Sequence, residues 1–349
     1  MPGQESLALH AICDHSCIDI RPCIAPDTKG ITLSLLEILV KRLLLGLATL
    51  LFVSVLVFLG TEILPGDVAN AILGQGATPE LIAQIRERLG LNEPLHVRYL
   101  VWLSNFVTGD FGSSLANGAD IGTEINRRAS NTIILAGCTA LLAVPLSILL
   151  GLACAIKPGG LIDRVITSLS LALISLPDFL VAVVLATIFA IKLRWLPAIA
   201  SIRPSYEFFD WVRILRLPVA GLTFTILAHM VRMTRSAVLN VLTSPAIEMA
   251  ILKGVPRRRL LLRHALPNAF GPIINVVALN LAYLISGVVV IETLFNFPGL
   301  GRYMVEAVTN RDVPVVQTCA MIFCCVYVVL NMTADILSIM ANPRVRYQK

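Results

Sequence analysis

The chain has little charge for its length. Of its 349 residues 14% are Asp, Glu, Lys or Arg, while 56% are apolar. A soluble domain carries about 25% charged and roughly 45–50% apolar residues, so this chain lacks the polar surface an ordinary cytosolic enzyme needs. The same numbers exclude a disordered chain, which is poor in apolar residues and rich in net charge. Also missing is any Gly-Lys dipeptide, without which no phosphate-cradling Walker A loop can exist. There is no His-Glu-x-x-His, and Gly112-Ser113-Ser114-Leu115-Ala116 lacks the final glycine of a nucleophile elbow, which argues against an intramembrane hydrolase. The halves of the chain show no matching pair of broken apolar segments, the mark of an inverted-repeat secondary transporter. The 8 cysteines follow no disulfide or zinc spacing. Cys138, Cys154, Cys319, Cys324 and Cys325 sit in apolar runs, and Cys13, Cys17 and Cys23 lie near the N-terminus.

What the chain has instead is long apolar runs and a mean hydropathy of +0.81. A hydrocarbon core of about 30 Å, at 1.5 Å per residue, needs about 20 apolar residues per helical crossing. Six segments meet that length, at about 43–61, 132–156, 165–191, 217–239, 269–291 and 313–340. The fold class is therefore an all-α membrane protein with six transmembrane helices and both termini on one side. Of the 28 Lys and Arg residues, 16 fall on the terminus side, among them Lys41, Arg42, Lys157, Arg164, Lys253, Arg257, Arg258, Arg259 and Arg263. Five of the other 12 lie in the long segment 62–131, which translocates largely regardless of charge. By the positive-inside rule both termini are cytoplasmic. The net charge of +6 is thus a topological signal, spread between apolar runs rather than gathered as a nucleic-acid patch.

Residues 1–35 read as a disordered leader, too short in its apolar run to be a secretory signal. Residues 62–131 form an outer loop with structure of its own. Thr78-Pro79-Glu80 is a helix start and Gly90 a stop. Leu95, Tyr99, Trp102, Leu103 and Phe106 recur at helical spacing, giving an apolar face for the membrane interface, a partner or the bundle itself.

The segment 244–267, between the fourth and fifth spans, is the most informative. Ser244 and Pro245 are N-cap and first-turn residues. Ile247, Ala250, Ile251 and Gly254 follow at i, i+3, i+4 and i+7, one helical face whose small residues would let another surface approach. A helix here, over 244–262, has the form of a docking element.

At this point the chain resembles a family. Glu248, Ala250, Gly254 and then Leu266-Pro267 are similar to the cytoplasmic signature of ATP-binding-cassette importer permeases, with Met249 departing from the usual alanine. Leu64-Pro65-Gly66-Asp67, Gly90-Leu91 with Pro94, Gly109-Asp110-Phe111-Gly112, Trp195-Leu196-Pro197, Arg232 and Arg235, Arg263-His264-Ala265-Leu266-Pro267-Asn268, Glu292-Thr293-Leu294-Phe295, Pro298-Gly299-Leu300-Gly301 and Asp312 resemble the dipeptide/oligopeptide branch. The resemblance covers about residues 36–346 and implies the type I importer (MetI-like) permease fold. It further implies a transport subunit with no catalytic residue, metal or cofactor of its own. ATP and Mg would be bound by two separate ABC ATPase subunits. The remaining partners would be a second homologous permease, an extracytoplasmic substrate-binding protein and the lipid bilayer of the cytoplasmic (inner) membrane, with no nucleic acid. The cargo implied is a di- or oligopeptide, the alternatives being a nickel chelate, glutathione or another small solute.

Site residues follow from the same reading. Glu248, Ala250, Ile251, Gly254, Arg263, Leu266 and Pro267 are the expected ATPase-coupling set. Asp178, after Pro177, lies inside an apolar run, where a lipid-facing carboxylate costs on the order of 2.5–3.5 kcal/mol. It therefore faces a polar interior, either lining the translocation pathway or pairing with a neighbouring helix. His229 is expected as a packed neutral side chain. Glu292, Phe295, Pro298, Gly299 and Gly301 are expected to shape an outer gate or a docking rim for the binding protein.

Overall fold

The structure, a computed structural model, describes residues 35–63, 93–202, 205–260, 263 and 265–341, and these form eleven α-helices. Helix α1 is Leu35–Glu62, α2 Leu95–Thr108, α3 Ile121–Ile156, α4 Leu161–Ile174 and α5 Asp178–Ala186, the last running on into a π-helical stretch Thr187–Lys192. Then come α6 Phe208–Leu242, α7 Pro245–Leu252, α8 Arg257–Leu260, α9 Leu266–Leu294, α10 Leu300–Thr309 and α11 Val313–Ala341. Five of these are long and apolar enough to cross a membrane. The pair α4 and α5, bent by 101°, makes a sixth candidate. That pair must cross, because α3 delivers the chain to the end where α7 lies, whereas Ala200 donates its N–H to Phe295 O (2.8 Å) at the opposite end, beside α10. The leader, the Thr78–Gly90 helix, the Leu64–Asp67 and Gly90-Leu91 motifs and His264 lie outside the described residues.

Three boundaries differ from the hydropathy reading, each for a local reason. The second span begins at Ile121 rather than near 132, because Asp120 caps it: its carboxylate accepts the Thr123 N–H and hydroxyl, both at 2.7 Å. Those two bonds, side chain first, hold the Asp120 carboxyl below the usual carboxylate range. The fourth span begins at Phe208 rather than 217, where Glu207 and Asp210 form a reciprocal capping box. The third span is not one helix over 165–191. Proline has no N–H and pushes Leu176 out of the helical region, so α4 ends at Ile174 and α5 restarts on the Pro177 carbonyl, which accepts from Leu180 N at 2.9 Å.

The span with the weakest apolar signal is the centre of the bundle. The most apolar window of α6 is 61% buried, against 11% for α1, so α6 is a core helix and α1 lies at the periphery with most of its leucines exposed. Leu217, Leu222, Ile226 and Met230 of α6 pack with Leu135 and Ala143 of α3, Ala182 of α5 and Leu284, Val288 and Ile291 of α9. Polar locks hold the peripheral helix. Gln317 Nε2 donates to Thr61 (2.7 Å), Arg42 pairs with Asp335 (2.9 Å), and Arg98 forks onto both Glu62 oxygens (2.5 and 3.0 Å). Tyr99 and Trp102 of α2 pack their rings on Phe58 of α1, at 5.5 and 5.8 Å. The aromatic face of α2 thus meets the bundle, the third of the three fates open to it.

Candidate functional site

Three groups of the expected residues come together, one at each end of the bundle and one at its middle. At the first end, α7 stops at Leu252, well short of a helix over 244–262. Gly254 takes φ +76°. Its N–H bonds Ile251 O (2.9 Å) and the Val255 N–H bonds Ala250 O (3.2 Å), the two reversed bonds of a Schellman cap. Glycine is present because the cap needs a left-handed residue, and a Cβ there would meet nothing within 4 Å. The face drawn through Ile247, Ala250, Ile251 and Gly254 is therefore corrected. Ile247 is fully buried among Ala155, Val238, Ala265 and Ala269, with Ala250 and Val255 packed on the same cluster. Glu248, Met249, Ile251, Leu252 and Gly254 remain exposed. Arg263 is exposed too, while Leu266 and Pro267 open α9.

Just inside that end lies a pair absent from the expected set. Asp163, 3% exposed, accepts Arg235 Nε (2.6 Å) and Nη2 (2.8 Å), and also the Gly159 N–H (2.7 Å) and Thr167 hydroxyl (3.2 Å). An acid two residues into a helix start and an arginine interrupting an apolar run were the available signals.

At the middle, Asp178 sits at the α4–α5 break, half-buried, and accepts the Tyr283 hydroxyl of α9 at 3.1 Å. It does pair with a neighbouring helix, and it keeps part of its surface open. The Tyr283 ring lies 6.0 Å from that of His229 on α6. One turn on, Arg232 is exposed, and no acid pairs with it among the described residues. The exposed faces of both helices carry further polar groups, Ser236 on α6 and Asn275 and Ser286 on α9.

At the far end, Glu292 is completely buried. It accepts the Thr132 hydroxyl (2.6 Å) and the N–H groups of Gly301 (2.7 Å) and Arg302 (3.1 Å), while Thr132 Oγ1 accepts Leu300 N–H (2.8 Å). A carboxylate borrowed from α9 thus caps the first turn of α10. Any Cβ at Gly299 would lie inside that carboxylate, and one at Gly301 would come within 2.6 Å of Val289 Cα. Phe295 is 1% exposed. Of the residues expected to shape an outer gate or a docking rim, Glu292, Phe295, Gly299 and Gly301 are inside, and Pro298 is half-buried. What they carry outward is α10, with Val305 and Val308 exposed, and the turn after it, with Arg311 exposed. On its inner side the Tyr303 ring takes the Arg128 guanidinium 4.4 Å above it, and burial pushes the Tyr303 hydroxyl up to about 12. A second latch joins the 109–120 segment to α11, where the Ser114 hydroxyl and the N–H groups of Leu115 (3.1 Å) and Ala116 (3.4 Å) donate to buried Asp312. Among the described residues no three His, Cys, Asp or Glu side chains converge as metal ligands.

Residues 147–347 match the model of the family described as binding-protein-dependent transport system inner membrane component, and residues 35–135 match the N-terminal model of such membrane components. The chain is 36% identical over 309 residues to a probable peptide ABC transporter permease of Sinorhizobium fredii, a match covering 88% of this chain and 99% of that one. It is 35% identical over 314 residues to a glutathione transport system permease of Salmonella typhi, and 34% identical to that of Escherichia coli K12, each match covering 90% of this chain and all of the relative. With six candidate crossings built around α6 and family matches running from residue 35 to 347, the chain belongs to the inner membrane components of binding-protein-dependent transport systems and is the permease subunit of an ABC importer.

Proposed function

We propose that this permease moves small peptides across the cytoplasmic membrane, that both its termini and α7 are cytoplasmic, and that α7 with its glycine cap is the element an ABC ATPase seats on. Two ATPase subunits bind ATP and Mg, a second homologous permease completes the pore, and an extracytoplasmic binding protein delivers cargo to the end where α10 lies. On this reading residues 36–346 are one permease domain, with 62–131 its outer loop, whose last part is the first turns of α3, and 244–267 its coupling segment. The carrying observation is the two-sidedness of α7. One side is bolted to the ends of α3, α6 and α9 through Ile247 and Ala250, while Met249, Ile251 and Leu252 stay 57%, 54% and 81% exposed. Three large apolar side chains on an eight-residue helix in water call for a cover. Peptide cargo rests on the relatives named for peptide and for glutathione, itself a tripeptide.

Replacing Ile251 and Leu252 together with Glu leaves the buried side of α7 intact. The variant should insert and unfold like wild type, yet lose ATPase co-purification and substrate-stimulated hydrolysis by more than about tenfold, the equivalent of 1.4 kcal/mol. Retained hydrolysis and co-purification would remove α7 from the coupling role. Orientation has its own test. A cysteine at exposed Ala116 should react with an impermeant thiol reagent in intact cells, and one at exposed Lys253 only after permeabilisation. The opposite pattern inverts the topology.

A further inference from the structure

The polar groups at the middle of the bundle form a sequence of opposite charges with a spacing that suggests what passes them. Asp178 lies at the break in the third crossing and Tyr283 near the midpoint of α9, both about halfway through the bundle. His229 stands slightly toward the α7 end, and Arg232 one helical turn further. Arg232 lies ten residues before the end of α6, about 15 Å along its axis, and an exposed arginine there is better placed in a wet or polar surround than against lipid. The same holds for the open side of Asp178. The face they share is wet, or covered by something polar. Apart from Tyr283, no side chain of the described residues spends these charges on the protein itself: Arg235, one turn beyond Arg232 on α6, takes Asp163, while Arg232 is left over.

We propose that Asp178 and Arg232 form a two-ended recognition site in the permease itself for the free ammonium and free carboxylate of a short zwitterionic peptide. This inference rests on the peptide reading above and deepens it. The geometry carries it. Asp178 to the Tyr283 hydroxyl is 3.1 Å and the Tyr283 ring to the His229 ring is 6.0 Å, and His229 to Arg232 is one turn, about 5–6 Å between Cβ atoms. These steps link the two charges through a short relay on one face of the bundle, within reach of an extended peptide of a few residues at roughly 3.5 Å each. Asp178 opens α5, where the helix N-terminus stabilises its negative charge, and the Tyr283 hydroxyl orients it. Tyr283 and His229 line the interval with ring faces and polar tips, a surface that tolerates varied side chains. Discrimination then comes from the ends, since a capped peptide leaves a charge desolvated and unpaired, whereas a free one satisfies both.

The test uses the full chain, with its native cysteines replaced, in inside-out membrane vesicles. Ser236→Cys places a thiol one turn from Arg232, and Ser286→Cys one turn from Tyr283, the partner of Asp178. Both should react with a charged methanethiosulfonate reagent, and trialanine at about ten times its half-protecting concentration should slow each reaction about tenfold by simple mass action. N-acetyl-trialanine amide should give no protection. Asp178→Asn or Arg232→Gln should abolish protection by trialanine while both thiols still label in its absence, which shows the face still folded and accessible. Absent labelling, equal protection by the capped peptide, or full protection in either variant overturns the two-ended site. Trialanine uptake by wild-type cells is measured alongside. Uptake without protection rejects this site alone, whereas failure of every peptide to enter rejects the peptide reading and the site with it.

Discussion

Glu292→Ala is expected to cost the protein on the order of 3–5 kcal/mol, because it strips an acceptor from three buried donors at once. The Gly301 and Arg302 N–H groups and the Thr132 hydroxyl all end on this one carboxylate. Thr132 is itself committed to the Leu300 N–H, so its loss of orientation spreads to a fourth donor. Glu292→Gln should fall between: one oxygen can keep the two backbone donors, while the amide turns a donor toward Thr132. A loss of about 1 kcal/mol is expected there. Gly299→Ala should resemble Glu292→Ala, since its methyl group would occupy the volume of the carboxylate. Thermal unfolding of the purified chain, followed by fluorescence-detected size exclusion, should rank wild type above Gln, and Gln above both alanine variants. Wild-type melting of Glu292→Ala would mean that α10 does not lean on this carboxylate.

That network explains how far the sequence could be read here. Glu292, Pro298, Gly299 and Gly301 stood out as a motif, but a motif of a charge and glycines reads as surface until the fold shows the glycines admitting the charge into the interior. Six crossings were legible because the requirement of about 20 apolar residues is local. The helix ends were not, because Asp120 and Glu207 start helices well outside the apolar stretch and hydropathy is blind to caps. The break in the third crossing was half legible. Pro177 was visible, yet its consequence, a 101° turn, depends on Ala182 finding α6. Gly254 shows the reverse error. Helical spacing extended through it placed Gly254 on a packing face, although a glycine nine residues after a Pro at the first helical position, followed by Val-Pro, is also a stop signal.

The central place of α6 was obscured by its arginines, and one of them leads to the second large effect. Arg235 and Asp163 form a bidentate pair at 2.6 and 2.8 Å, with the Asp163 side chain 4% and the Arg235 side chain 27% exposed. Removing one partner leaves a charge in place without compensation, a loss of about 3 kcal/mol for a pair open to solvent on one side. Asp163→Asn and Arg235→Gln should each show it, whereas the double variant should lose distinctly less than their sum, a coupling of about 2 kcal/mol. A charge exchange, Asp163→Arg with Arg235→Asp, should not rescue stability, because the Gly159 N–H and Thr167 hydroxyl would lose their acceptor. Unfolding free energies from denaturant titration in mixed micelles give the cycle, and additive losses would deny the pair any role as a unit. Its position argues for more than stability. The pair ties α4, whose far end carries the break at Asp178, to the stretch of α6 whose next turn, at Val238, receives Ile247 of α7. In the proposed mechanism this is a polar link between the ATPase seat and the middle of the pathway. Asp163→Asn, at a temperature where it remains folded, should therefore keep ATPase association while losing transport per ATP hydrolysed. Equal loss of association and transport would reduce the pair to a fastening.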